Sequence, residues 1–466
     1  MHVFSVNGCD LAFDSATGSL HSLDPVGKAV LQYACRAGID RRIRHDPAFE
    51  KRFLEEMKGA LFPRFTREEV EAAWEEALLL IGKTLWGDDF TLRAAAEENS
   101  DGPEIGSLKA LCLNVTHDCN LACEYCFAAR GHFGGKPQLM PPSVAMSAMD
   151  FLVSQSGKRR YLDVDFFGGE PLMAFDTVKE AVGYARRLEK TTGKTFRFTL
   201  TTNCVLLDAE VDEFLNAEGI SVILSIDGRP EVHDRMRKRS GGSPSHATVL
   251  RNALRLVQSR QGRDYYVRGT FTRYNLDFYE DVKYLYAQGF RRMSLEPVTG
   301  GRGEDWAITE QDLPALREAY SRLASFWKET FEKGDPFSFY HFEIGLDGGV
   351  CKERRITGCG AGYEYLAVTP DGSIYPCHQL VGKPEFNMGN VSDGIVTPAL
   401  MRRFYEARVP YKPRCIKCWA RYLCGGGCHA GALLSTGDIK EPDPLACLIM
   451  KTRLEFALYV QYIKGI

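Results

Sequence analysis

Apolar residues along this chain recur with different periods in different stretches, and each period names an element. Residues 3–6, 11–13 and 19–23 form short apolar or alternating runs, separated by Asn7-Gly8 and Thr17-Gly18. Such pairs tolerate the positive φ of a hairpin turn, so three short strands are expected. Asp24-Pro25 then offers an N-cap and a first-turn proline ahead of Val26, Ala29, Val30 and Tyr33. Helical spacing continues over 49–57 and 66–81, where Thr66 and Glu69 fit a capping box. Three strands followed by three helices predict a compact front module.

After it, Gly82, Gly87, Gly102, Pro103 and Gly106 mark a polar linking passage. Strand-like runs then recur at 110–115, 162–167, 196–200, 221–226, 266–271 and 292–295. Helical periods at 143–153, 177–189, 209–217, 246–259 and 276–287 separate them. Six strand–helix units in a row predict parallel strands, in a doubly wound sheet or a barrel. Unusual residues follow the strand ends, where barrel enzymes build their sites. The domain boundaries fall at 1–95, 96–108 for the linker, 109–335 for the alternating region and 336–466 for the remainder.

Composition narrows the function. With 466 residues the chain is long enough for two or three domains. A net charge of −3 and no long basic run argue against nucleic acid as a partner. The densest basic clusters, Arg41-Arg42-Ile43-Arg44 and residues 235–239, read as solvated faces. No apolar run is long enough to span a bilayer and Met1-His2-Val3-Phe4 does not begin a signal peptide, so no membrane partner and a cytoplasmic location are expected. Fifteen cysteines in a reducing compartment are then poorly explained as disulfides. Cys9, Cys35, Cys112 and Cys204 are scattered and read as small buried hydrophobes.

The others are grouped. Cys119, Cys123 and Cys126, in a C-x3-C-x2-C spacing after the first strand, bring three thiolates to one loop. A cubane iron–sulfur cluster takes a ligand on each of four irons, so three cysteines leave one iron open to something other than protein. A zinc site is the competing reading, but no fourth Cys or His stands at a zinc-finger spacing, and His117 and His132 merely flank the loop. Farther on, Cys351, Cys359, Cys377, Cys415, Cys418, Cys424, Cys428 and Cys447 crowd the last quarter. Here C-x2-C-x5-C-x3-C alone admits a zinc ribbon as well as clusters.

The three-cysteine loop, with an aromatic before its last Cys, resembles the signature of the radical S-adenosylmethionine (SAM) superfamily. That resemblance implies a partial (β/α)6 TIM-like barrel, α/β in class, with SAM chelated to the open iron and cleaved to a 5'-deoxyadenosyl radical. It also implies catalytic and metal-binding roles for Cys119, Cys123 and Cys126. Gly168-Gly169-Glu170-Pro171, after the second strand, matches the family's Gly-Gly-Glu-Pro, which receives the amino end of SAM. The Phe127 backbone would lie near the adenine, Ser225 and Asp227 resemble the strand that meets the ribose, and Arg237 matches a recurrent arginine. Thr202-Asn203-Cys204 departs from the family's Thr-Asn-Gly, so Cys204 either bears a positive φ or marks a different loop.

Cys359, Gly372-x4-Cys377, Cys415, Cys418, Cys424, Cys428 and Cys447 resemble the seven-cysteine SPASM extension. The resemblance implies two auxiliary [4Fe-4S] clusters, three in all with the SAM-binding one. Cys359, Cys377 and Cys428 would hold the inner cluster, and Cys415, Cys418, Cys424 and Cys447 the outer. Cys351 either completes the inner cluster or leaves it when a substrate thiolate binds. The front module is similar to the winged-helix peptide-recognition elements of enzymes that modify ribosomal peptides, the alternative being a folding cap.

Together these features resemble the SCIFF/ranthipeptide maturases. They imply thioether crosslinks between a Cys sulfur and a carbon of another residue in a Cys-containing, leader-bearing precursor peptide, with an external flavodoxin- or ferredoxin-type electron donor. The alternatives are another SPASM product, a carbon–carbon crosslink or formylglycine, and a non-catalytic zinc-binding peptide chaperone.

Overall fold

The computed structural model describes residues 1–39, 43, 45–83, 108–301, 303–346 and 356–465. Cys351, the basic residues Arg41, Arg42 and Arg44, and the linker except its last residue lie outside the described residues.

The front module carries the expected order of elements. Strands β1 (His2–Val6), β2 (Cys9–Phe13) and β3 (Leu20–Ser22) pair antiparallel in that order, with Val3 opposite Ala12 and Ala12 opposite His21. Asp24 caps α1 (Pro25–Arg36) by accepting the Gly27 N–H at 2.6 Å. Asp46 caps α2 (Pro47–Leu61) through Phe49 N–H. At the start of α3 (Arg67–Lys83) the capping box forms reciprocally: Glu69 accepts from the Thr66 N–H at 2.8 Å and the Thr66 hydroxyl from the Glu69 N–H at 3.2 Å.

Strand alternation gives this small sheet two apolar faces. Ala12 packs with Val30, Leu31, Phe53 and Trp74 inside the module, whereas Phe4, Val6, Leu11 and Phe13 join the core of the main body. Polar contacts seal that junction. Asn7 exchanges hydrogen bonds with Ser321, Arg317 donates to the Ser5 carbonyl, and His2 pairs with Glu455 at 2.9 Å. The His2 ring also stacks on Trp419, with centroids 3.9 Å apart.

All six strands expected in the main body are present and parallel, in sequence order: β4 (Ala110–Thr116), β5 (Tyr161–Gly168), β6 (Thr195–Thr202), β7 (Ser221–Ser225), β8 (Tyr265–Phe271) and β9 (Arg292–Pro297). The crossovers contain α4 (Pro142–Gln155), α5 (Phe175–Thr192), α6 (Ala209–Ala217), α7 (Pro230–Met236), α8 (His246–Ser259) and α9 (Phe278–Ala287). The sheet runs beyond these six strands. β10 (Ser338–Phe339) pairs parallel with β9 at one end. At the other, β11 (Tyr365–Val368) pairs parallel with β4 and continues antiparallel into β12 (Ser373–Tyr375), β13 (Gly389–Asn390) and β14 (Gly394–Ile395). Eleven strands therefore form one open sheet.

Two long helices absent from the sequence reading, α10 (Leu313–Glu332) and α15 (Pro444–Lys464), pack on each other through Tyr320 and Phe456. Shorter helices α11 (Pro398–Tyr405), α12 (Pro413–Ile416), α13 (Arg421–Cys424) and α14 (His429–Thr436) carry the C-terminal cysteine region. Among the described residues no helix is long and apolar enough to cross a membrane.

Alternation along the strands decides where chemistry can occur. On β5, Leu162, Val164 and Phe166 are buried in one core with Val178, Ala181 and Val182 of α5, each of the larger side chains worth about 1.5–3 kcal/mol of burial. Asp163, Asp165 and Phe167 point to the opposite face, as do Arg197 and Thr199 on β6, Arg268 and Thr270 on β8, and Ser294 and Glu296 on β9. That face is polar and partly accessible, a surface suited to a ligand.

Candidate active site

The cysteine loop leaves β4 at a register shift between Asn114 and Thr116, a bulge that redirects the chain across the end of β5. There it meets Gly168 and Gly169. Gly169 N–H donates to the Thr116 carbonyl and Glu170 N–H to the Asp118 carbonyl, both at 2.9 Å. A Cβ at Gly168 would stand 2.3 Å from the Thr116 oxygen, and one at Gly169 only 1.9 Å from the Asp118 oxygen. The glycines thus let the cysteine loop lie directly on the β5 turn.

Glu170 is buried under this crossing. One of its oxygens accepts from the Thr202 hydroxyl at 2.7 Å and the Leu172 N–H at 3.1 Å, the other from the Asn203 N–H at 2.7 Å. Burial nevertheless outweighs these bonds and raises its pKa to about 7. The second oxygen keeps a lone pair for one further donor. Pro171 opens the short turn that follows, over Pro171–Ala174. Asn203, which the sequence places just beyond the third strand, joins the site: its amide donates to the Asn120 side chain at 2.7 Å and lies 3.7 Å from the Cys119 sulfur. Cys204 takes φ 65° with its side chain fully buried, so of the two expectations the chain accepts the strained backbone.

On the other side of the loop, Asp227 binds three groups at once. Tyr125 donates its hydroxyl at 2.5 Å, Thr270 its N–H at 2.8 Å, and Arg237 pairs at 3.0 Å. Both carboxylate oxygens are therefore engaged within the protein, and the geometry gives Asp227 and Arg237 the task of anchoring the loop through Tyr125. Arg237 also lies by Cys123. Ser225 ends β7 in register with Arg268. The Phe127 ring is 48% exposed, beside Phe133, Phe167 and His378.

Burial, with mutual repulsion, pushes the thiols of Cys119 and Cys123 up to about 12 and about 11. Bare, these thiols hold their protons; a thiolate there needs a cation, which iron supplies. Around the loop the Nδ2 atoms of Asn114 and Asn120 and the Nε2 of His117 are buried without hydrogen-bond partners. Three orphaned buried donors or acceptors on the strand and loop that carry the three cysteines leave hydrogen-bonding capacity there for a polar group. Among the described residues, no three His, Cys, Asp or Glu side chains converge on a single metal position.

On the open face of the sheet, Glu296 is held well below the usual carboxylate range. Burial opposes this, but His341 at 3.0 Å and Arg453 at 3.3 Å prevail, with Arg268 adding to them. Burial pushes Asp165 up to about 6 and His378 down to about 4. None of these residues stood out in the sequence, since each gains meaning only from partners on other strands.

Several of the C-terminal cysteines lie within electrostatic reach of one another. Cys377, exposed hardly at all, has its thiol pushed up to about 12 by burial, then by Cys428 and Cys359. Cys415 is pushed up to about 12 by burial, with Cys424, Cys447 and Cys418 adding repulsion. Gly372 is no ligand; its φ of 84° makes the β11–β12 turn that presents Cys377. His378, next to Cys377, places its ring 5.5 Å from Phe127 and 5.1 Å from Phe167. The three-cysteine C-terminal group therefore adjoins the open face near the first cysteine loop.

Residues 113–267 match the Radical SAM superfamily, and residues 359–419 match SPASM, an iron-sulfur cluster-binding domain. Mycofactocin maturase MftC of Mycolicibacterium smegmatis is 27% identical over 351 residues, 72% of this chain and 82% of that protein. An uncharacterized protein of Methanocaldococcus jannaschii is 28% identical over 193 residues, 41% of this chain; the match spans 63% of that relative's length. Among solved structures, anSMEcpe with bound AdoMet has a TM-score of 0.64 at 23% identity, covering 77% of this chain and 100% of that one. Streptococcus suis SuiB bound to S-adenosylmethionine has a TM-score of 0.52 at 17% identity, covering 94% and 96%. The fold is the α/β radical SAM fold with a SPASM domain, and SAM and [4Fe-4S] clusters are the cofactors of those domains.

Proposed function

We propose that this chain, a radical SAM protein with a SPASM domain, matures a ribosomal precursor peptide by forming intramolecular thioether crosslinks. The observation that carries the proposal is the three-thiol group of Cys359, Cys377 and Cys428, set beside the open face where Phe127, Phe167 and His378 meet. A group with three described thiols beside the reaction space suits a place where a peptide sulfur is held. Cys351 fills the fourth position or yields it to the peptide. Support for a peptide substrate comes from neighbours: MftC is a maturase, SuiB has been solved with the precursor peptide SuiA, and anSMEcpe with the Kp18Cys peptide.

Each residue then has a task. Cys119, Cys123 and Cys126 would hold the SAM-binding cluster, and Glu170 would accept the SAM ammonium. Gly168 and Gly169 keep that carboxylate against the loop. The backbone at Phe127 would border the adenine and Ser225 the ribose, while Asp227 and Arg237 hold Tyr125 and hence the loop. When bound, SAM and the clusters supply a 5'-deoxyadenosyl radical that removes a hydrogen atom from the peptide and an acceptor for the surplus electron. The protein's part is to hold sulfur and carbon within reach and apart from bulk water.

β1 is covered by Arg317 and Asn7's contacts, so the leader adds its strand at the β3 edge of the small sheet, as a winged-helix-like recognition module would receive it. The enzyme works in the reducing cytoplasm with three clusters and a flavodoxin- or ferredoxin-type donor.

The test is mass spectrometry of a Cys-containing precursor peptide after anaerobic incubation with the reconstituted enzyme, SAM and a reductant. Each thioether removes two hydrogens and protects its donor Cys from alkylation. Loss of two hydrogens with the cysteines still alkylated would favour a carbon–carbon crosslink. An unchanged peptide alongside SAM cleavage would overturn the thioether reading, and zinc without sulfide would overturn the enzyme.

A further inference from the structure

Lys412 is a lysine where a lysine is costly. Its side chain is completely buried, and its Nζ donates to the Gly426 carbonyl at 2.9 Å. Among the described residues no carboxylate pairs with it. An ammonium removed from water with only a neutral carbonyl for company is strongly unfavourable unless anions surround it. Burial alone lowers its pKa, and the groups that act against this are thiols within electrostatic reach. Cys415, Cys424 and Cys447 of one group and Cys428 and Cys359 of the other all feel its charge.

The backbone explains how one side chain serves both groups. The Lys412 carbonyl accepts the N–H of Cys415 at 2.9 Å, fixing the lysine at the root of the C-x2-C turn. Its far end is tied to Gly426, in the Gly425-Gly426-Gly427 run that separates Cys424 from Cys428. Those two cysteines belong to different groups. A Cβ on Gly426 would come to 3.9 Å from the lysine Cδ, so the chain passes closely over the stem. The side chain thus spans from the outer group to the segment that leads into the inner one.

We propose that Lys412 is the shared counter-charge of the two auxiliary clusters, a positioning residue that offsets their mutual repulsion and raises the reduction potential of both. The inference rests on the SPASM cysteines holding two clusters. Four thiolates around an iron–sulfur core leave a net negative charge, and adding an electron makes it more negative. A fixed cation in a low-dielectric site stabilises the reduced form more than the oxidised one, so removing it lowers the potential.

The experiment is an EPR-monitored redox titration of the auxiliary clusters in the full chain, reconstituted anaerobically. Cys119, Cys123 and Cys126 are replaced by Ala to silence the first cluster. Three proteins are compared in that background: Lys412 retained, Lys412→Met and Lys412→Arg. Lys412→Met should lower the midpoint of both auxiliary clusters by at least a tenfold shift in the one-electron equilibrium, about 59 mV, and Lys412→Arg should restore them.

If Lys412→Met loses auxiliary iron while Lys412→Arg keeps it, the charge is needed even to retain the clusters, which supports the proposal. Full iron with unchanged midpoints in Lys412→Met overturns it. So does equal loss of iron in both variants, which would assign Lys412 a packing role, or a shift in only one cluster. If the protein with Lys412 retained assembles no auxiliary iron and sulfide, it is the two-cluster reading that fails, before Lys412 is tested.

Discussion

A methyl group at position 169 would sit 1.9 Å from the Asp118 carbonyl oxygen, inside the crossing that fixes Cys119. Gly169→Ala should therefore displace the cysteine loop rather than merely crowd a ligand. The expected result is loss of iron from the first cluster with the auxiliary iron retained, and a stability cost of about 1–3 kcal/mol, read by iron analysis and thermal unfolding. Glu170 gives a pH signature. Its folded pKa of about 7 lies above the ordinary value of 4.5, so the folded state binds the extra proton. Stability of the SAM-free protein should then fall as pH rises from about 4.5 to 7, by on the order of 3 kcal/mol from this group. Glu170→Gln should flatten that part of the stability–pH curve; an unchanged slope would refute the assignment. At this scale the first cysteine loop stood out because its three cysteines lie a few residues apart. Tyr125 stood out only as the aromatic before the last of them and Asn203 only as a residue at a strand end; their partners, Asp227 across 102 residues and Asn120 across 83, were not legible, and a lone lysine such as Lys412 looks like any surface lysine.

Among elements, the strands carried the clearest signal. β5 alternates buried and accessible positions along its length, so its period announces both the strand and its polar face. Helix α15 was opaque for the opposite reason: Phe456, Ala457, Leu458, Tyr459, Val460 and Gln461 are consecutive and all buried, so packing on several sides erases the helical period. The front module was legible in its order but not in its attachment. Phe4, Val6, Leu11 and Phe13 belong to the main core, and His2 stacks on Trp419 next to Cys418. Deleting residues 1–83 should accordingly yield an aggregating or strongly destabilised protein, judged by solubility and thermal unfolding. A truncated chain that folds and binds iron as the full chain does would mean that the module is an appendage.

For the whole molecule, the proposed function requires three clusters along the sheet and its C-terminal extension, and cluster assembly should then be coupled to folding. Reconstitution should give roughly twelve irons with matching sulfide per chain, measured by metal and sulfide analysis. Because the buried thiols of Cys119, Cys123, Cys377 and Cys415 sit at about 11 to about 12, assembly should also release protons at neutral pH. The overall −3 charge and the absence of a basic run say little about the substrate; the site says more.

The central claim is that a radical made at the Cys119 loop takes hydrogen from a peptide carbon that then joins a Cys sulfur. It is tested most directly with a precursor peptide deuterated at its non-cysteine residues, incubated with the reconstituted enzyme and unlabelled SAM. One deuterium is expected in 5'-deoxyadenosine for each sulfur–carbon bond found in the peptide. Crosslinked peptide with unlabelled 5'-deoxyadenosine, or labelled 5'-deoxyadenosine with every cysteine still free, would contradict it.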